Sequence, residues 1–170
     1  APGGYFIDSN SEKNYCGNGS YADIGVFSFH PVKHIACGEG GMLTTNSKEL
    51  YEKLLLLRTH GITKENMEEN HGNWYYEMIA LGFNYRLTDF QSALGITQLS
   101  KNNKGVERRN EISANYKKAF EGKIKFQDLP AGTYNAHHLF IIEVENRKEL
   151  YDFLHSKGIL AQIHYVPVHT

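Results

Sequence analysis

The stretch Val26-Phe27-Ser28-Phe29-His30-Pro31-Val32-Lys33-His34-Ile35, with Gly38-Glu39-Gly40-Gly41 after it, decides how the rest of the chain is read. Its first half is apolar and strand-like, so Lys33 falls at a strand end or in the loop beyond it. Ser28 stands five residues earlier, and a glycine-rich turn follows. A lysine on such a loop, beside a hydroxyl and adaptable backbone, can form a Schiff base with an aldehyde cofactor while neighbouring groups hold the cofactor's phosphate. A lysine without partners is a solvated surface residue, so the reading depends on what accompanies it.

Three stretches accompany it in order: Phe27-Ser28-Phe29-His30-Pro31-Val32-Lys33, then Gly38-Glu39-Gly40-Gly41, then Leu81-Gly82-Phe83-Asn84-Tyr85-Arg86-Leu87-Thr88-Asp89 with Gln91-Ser92-Ala93-Leu94-Gly95 and Gln98-Leu99. Together they resemble the DegT/StrS sugar aminotransferases, and the likeness covers nearly the whole chain. The resemblance implies an α/β protein, an interior piece of an aspartate-aminotransferase-like (type I) PLP enzyme fold. Residues 1–130 would be part of the PLP-binding large domain with its interdomain helix. Residues 131–170 would begin a C-terminal small α/β domain. In the family an Asp-x-x-His-Ala-x-Gly-Gly stretch comes first, and Ala1-Pro2-Gly3-Gly4 resembles its tail. The aspartate that pairs with the pyridine nitrogen is then expected upstream of this chain, and the chain by itself is expected to be inactive.

The same resemblance assigns roles. Lys33 is implied to be the cofactor lysine and the general acid/base, Ser28 the hydroxyl on the phosphate, and Asn84 the side chain reaching the phosphate in a neighbouring subunit. Shared sites of that kind imply a homodimer. Relatives that carry out 3-dehydration have histidine where this chain keeps Lys33, which favours transamination. Arg86 is a candidate for the donor's carboxylate or a substrate phosphate, because a guanidinium offers a planar fork of donors. An ion pair with Asp89 is its plain alternative. Glu39 would orient Lys33 or a sugar hydroxyl, or simply cap its turn. His164 would face the substrate, or be a satisfied strand histidine. The implied reaction moves an amino group, from glutamate, to C4 of a UDP-linked 4-keto-6-deoxy amino sugar. Another nucleotide sugar, of the perosamine or aminoarabinose type, and a non-catalytic relative are the alternatives. A solvated lysine near pKa ~10.4 is a poor base at neutral pH, so such a site has to favour the free amine by burial and by nearby positive character.

Composition bounds these readings. The 170 residues suit one ordinary domain with a real core. A 41% hydrophobic and 22% charged make-up reads as soluble and globular. Eighteen basic residues stand among nineteen acidic ones, for a net charge of −1, so no basic stripe points to nucleic acid. No apolar run approaches a membrane span. Cys16 and Cys37 make no disulfide framework, which favours a reducing, cytoplasmic setting. The nine histidines are dispersed, and no metal site is expected.

Along the chain, Tyr5–Ile7 reads as a strand or a loop, and Ile24–Phe29 and Met42–Thr45 read as strands. Asn46 or Ser47 caps a helix carrying Leu50, Leu54 and Leu57, stopped at Gly61. Residues 62–80 read as a long surface excursion. Thr88-x-x-Gln91 opens one helix as a capping box, and a second is expected from Lys104 to Phe120. A linker at 130–135 leads to an expected β-α-β unit: a strand over His137–Val144, a helix capped by Asn146, and a strand over Ile159–Tyr165.

Overall fold

The computed structural model describes residues 2–65, 67 and 71–169. Ala1, Thr170 and, within the 62–80 excursion, Asn66, Glu68, Glu69 and Asn70 lie outside the described residues.

The chain opens with strands β1 (Tyr5–Ile7) and β2 (Lys13–Tyr15), paired antiparallel with Tyr5 opposite Tyr15. The lysine stretch follows as β3 (Gly25–Ser28), which pairs antiparallel with β4 (Gly41–Thr44), Ser28 opposite Gly41 and Phe27 opposite Met42. Between them runs not a tight turn but a loop over 29–40. Its mouth is tied by Phe29 N–H to Gly40 O (2.8 Å), and Cys37 N–H returns to Phe29 O (2.9 Å). Gly25 is required here: a Cβ would press on Thr44 Oγ1 and on the Gly17 backbone.

Helix α1 (Lys48–Arg58) is capped by Ser47, whose Oγ accepts from Leu50 N–H at 3.2 Å. Two short strands, β5 (Ile62–Thr63) and β6 (Glu77–Met78), then pair antiparallel inside the expected excursion. Strands of two residues leave no alternating pattern, so sequence gave no sign of them.

Helix α2 (Asp89–Phe120) is a single 32-residue element where two helices were expected. Thr88 caps it with the full reciprocal box to Gln91, an arrangement whose loss typically costs ~1 kcal/mol. The boundary expected before Lys104 is not formed. Asn102 and Val106 are instead buried beneath Gly3, where an added Cβ would sit 3.0 Å from each of them, and that packing overrides the weak local helix preference.

Beyond α2 come β7 (Lys125–Phe126), β8 (Thr133–Tyr134), β9 (Ile142–Glu143) and helix α3 (Arg147–Ser156). β8 pairs with β1, making a three-stranded sheet in the order β2-β1-β8, and β7 pairs with β9. Asn146 occupies the N-cap position of α3 but makes no side-chain cap bond. The strand expected over His137–Val144 shrinks to β9, because His137 takes the left-handed conformation (φ 48°) and turns its neighbours away. Residues 159–165 form no strand, since no other strand lies beside them to pair with, so the β-α-β unit is not formed among the described residues.

The core is thin. Ile35, Cys37, Val106 and Ala136 are its buried apolar members among the described residues, whereas Phe90, Leu81 and Val26 are 91%, 84% and 76% exposed. No helix is long and apolar enough to cross a membrane, among the described residues.

Candidate active site

Lys33 sits half-buried on the 29–40 loop, in a turn closed by its own N–H to His30 O (2.9 Å). Two buried neighbours, Ile35 and Cys37, anchor the loop from behind. The side chain reaches a residue 105 positions away: Lys33 Nζ lies 3.1 Å from His138 Nε2. The adjacent His34 points the same way and donates from Nε2 to Ala136 O at 2.7 Å. Two successive loop residues therefore grip segment 136–138.

Helix α2 holds that segment in place. Asn110 Nδ2 donates to Asn135 O (2.9 Å), and Arg109 Nη1 donates to His137 O (3.2 Å). Asn135 Oδ1 accepts from His137 N–H (2.9 Å), a local turn that supports the left-handed His137 between the two gripped residues. Ala136 is buried, and the rings of His34 and His138 lie 5.8 Å apart.

These histidines are held neutral. Burial lowers the pKa of His34 below its ordinary 6.5, and the charges of Arg109 and Lys33 act in the same direction, against the opposing bond to Ala136 O. Burial also lowers His138, reinforced by Lys33, His34, Arg109 and His164. A neutral His138 that accepts at Nε2 from the Lys33 ammonium must carry its proton on Nδ1. That Nδ1 is buried and has no partner among the described residues. An unsatisfied buried donor costs about 1–3 kcal/mol, so the Lys33 bond is formed against a local penalty.

Ser28, at the end of β3, is exposed, and its Oγ accepts from His30 N–H at 3.4 Å, which puts the hydroxyl at the entrance to the lysine loop. Glu39 is exposed. Its carboxylate stands 3.9 Å from His30 Nε2, and its backbone oxygen accepts from Gln91 Nε2 at 3.0 Å, fastening the glycine turn to the start of α2. Asn84 and Arg86 are exposed. An isolated bridge from Thr59 to Asn84 and the bond from Tyr85 N–H to Arg58 O (3.0 Å) tie them to the end of α1. No hydrogen bond or ion pair among the described residues links them to Lys33, and Arg86 makes no ion pair with Asp89. His164 is exposed, with its ring against that of Tyr165, and its charge is one of those disfavouring a proton on His138.

Sequence reasoning missed His138 and Arg109. The pair His137-His138 opening an apolar run was the available signal, but nothing local said that the run would turn towards a lysine 105 residues away. It also passed over the His-x-x-x-His spacing of His30 and His34. That spacing is not on a helix, the two rings have different partners, and no group of three His, Cys, Asp or Glu could hold a metal ion among the described residues.

Residues 12–170 match the DegT/DnrJ/EryC1/StrS aminotransferase family, and the chain belongs to that family. It is 42% identical over 158 residues to a UDP-4-amino-4,6-dideoxy-N-acetyl-beta-L-altrosamine transaminase of Campylobacter jejuni strain 81-176, covering 89% of this chain and 40% of that protein. A transaminase of the same name from Helicobacter pylori is 36% identical, with the same coverage. Among solved structures, the PMP form of the putative sugar aminotransferase Spr1654 from Streptococcus pneumoniae superposes with a TM-score of 0.83 at 28% identity, over 99% of this chain and 42% of that one. PseC of Helicobacter pylori, an aminotransferase involved in pseudoaminic acid biosynthesis, gives 0.77 at 34% identity, over 95% and 43%. The fold is thus part of the type I, aspartate-aminotransferase-like architecture. The chain spans about two-fifths of the length of the relatives it matches.

Proposed function

We propose that this chain carries the lysine of a PLP-dependent aminotransferase that transfers an amino group, with glutamate as donor, to C4 of a UDP-linked 4-keto-6-deoxy amino sugar. The observation that carries the reading is Lys33 itself: half-buried, on a loop tied at its mouth, with its amine held at 3.1 Å by a neutral imidazole. The donor set suits PLP, since a primary amine matches its aldehyde and the exposed Ser28 hydroxyl and loop N–H groups match its phosphate. When bound, PLP supplies the aldehyde carbon and the electron-withdrawing ring that transamination needs.

The chain's own residues divide the remaining work. Lys33 Nζ would hold the cofactor, and its amine, once free, would carry a proton to and from the substrate carbon. Ser28 Oγ donates to the phosphate. Arg86 binds a carboxylate or phosphate of the substrates, and Glu39 and His164 orient the sugar. Among the described residues Asn84 and Arg86 make no hydrogen bond or ion pair with the Lys33 loop of their own chain, which supports a homodimer in which Asn84 completes the partner's phosphate site. The exposed Phe90 at the start of α2 supports the same arrangement. The relatives' names support the substrate class, and a nucleotide-sugar substrate supports a cytoplasmic setting. We place the domain boundary at 130–131.

Borohydride trapping tests this. The protein is mixed with PLP, reduced, digested and mapped by mass spectrometry, beside Lys33→Ala. One reduced phosphopyridoxyl group on Lys33 is expected in the wild type, with none on that peptide in the variant. Labelling spread evenly over surface lysines would overturn the assignment. Transfer assays across UDP-linked keto sugars and amino donors then identify the substrates.

A further inference from the structure

We propose that His138 is a positioning residue for Lys33, parking its ammonium through an Nζ–H···Nε2 hydrogen bond until a carbonyl compound takes the amine. The significance for a cofactor rests on the reading above, but the bond itself is a property of this chain.

Three features converge on this role. The distance of 3.1 Å is a direct hydrogen bond, and it spans 105 residues, so the fold brings the pair together and local sequence does not. The acceptor's mobility is restricted by the two residues before it: Ala136 is buried and gripped by His34, and His137 O is held by Arg109. The tautomer is set as well. Among the described residues Nδ1 is buried without a partner and Nε2 is the nitrogen that meets a hydrogen-bonding group, and facing an ammonium it must present its lone pair. The groups around the pair are His34 on the same loop, Arg109 on α2 and His164 in the C-terminal segment, and each of them disfavours an imidazolium. A ring that stays neutral can keep accepting. A neutral acceptor suits an amine donor, so His138 holds the Lys33 amine in one place. The role has a structural corollary: shifting segment 136–138 off the 29–40 loop frees the amine.

Competitive acylation provides a test independent of PLP. The protein, as the full chain, is treated with a trace of acetic anhydride at pH 8, and acetylation of Lys33 is compared with that of surface lysines by mass spectrometry. In His138→Phe, Lys33 is expected to acetylate several-fold faster relative to the surface lysines. His138→Gln, whose side-chain carbonyl can reach the Nε2 position, is expected to restore the wild-type ratio. An unchanged ratio in a folded His138→Phe overturns the proposal. Should that variant fail to fold, ¹⁵N NMR of the wild-type imidazole decides: a proton on Nδ1, with an Nε2 shift that moves in Lys33→Met, supports the role, and a proton on Nε2 overturns it. Because acetylation needs no cofactor, a wild-type protein that traps PLP on Lys33 yet shows no His138 effect would retain the aminotransferase reading and lose this one. The reverse pattern would do the opposite.

Discussion

Around Lys33 the decisive groups are three histidines kept from protonating. His34, His137 and His138 all have their pKa lowered, in each case first by burial. The unfolded chain, with histidines near 6.5, binds protons that the folded chain refuses. The stabilisation is therefore fully present above pH 6.5 and drains away as the pH falls through that value towards the lowered folded values. Thermal melts from pH 8 to pH 5 should show the melting temperature dropping below about pH 6.5, and His34→Gln should flatten that drop. A melting temperature that holds or rises on acidification would contradict the neutral-histidine description. At this scale sequence showed the donors but not their partners. Lys33, Ser28 and Glu39 could be picked from a local motif, whereas His138, which meets the Lys33 amine, could not, because its orientation depends on a left-handed neighbour and on a distant helix.

Single elements show where local signals sufficed and where they did not. The caps at Ser47 and Thr88 were legible because capping is a contact between residues three apart. The continuity of α2 was not, because it depends on Asn102 and Val106 packing beneath Gly3. Two glycines that end helical segments make a matched pair for testing how much of an element's stability is packing. Gly61 and Gly122 share φ +67°, but a Cβ at Gly61 would overlap the Ala80 carbonyl group, while one at Gly122 meets nothing. Gly122→Ala should lose about 1–2 kcal/mol, the left-handed penalty alone. Gly61→Ala should lose clearly more, because the 80–82 backbone that feeds Asn84 and Arg86 has to move. Urea unfolding of the two variants measures the difference, and equal losses would show that the 61–82 crossing is softer than described.

At the scale of the whole molecule, the exposed apolar surface outweighs the core. Phe90, Ile96 and Leu99 along the first half of α2, with Leu81 and Tyr85 before it, are all at least 60% exposed. Surfaces of this kind mark association. Sedimentation velocity should show concentration-dependent assembly, and Phe90→Glu should shift it towards monomer. Monomer at all concentrations in the wild type would remove the support this surface gives to a homodimer. The sequence could not reveal this imbalance, since a residue's hydropathy does not say whether its own chain covers it. Helix α2 carries a further consequence. Its Gln91 fastens the turn after the lysine loop, and its Arg109 and Asn110, eighteen and nineteen residues on, fasten the segment that bears His138. One rod therefore fixes both the distance and the angular phase between the two halves of the lysine's surroundings. At about 100° per residue, one residue gained or lost between Gln91 and Arg109 would swing the second pair of fasteners off the His138 segment while leaving the first intact. Beyond the residues that pack and fasten, the length of the helix over that interval is itself under constraint.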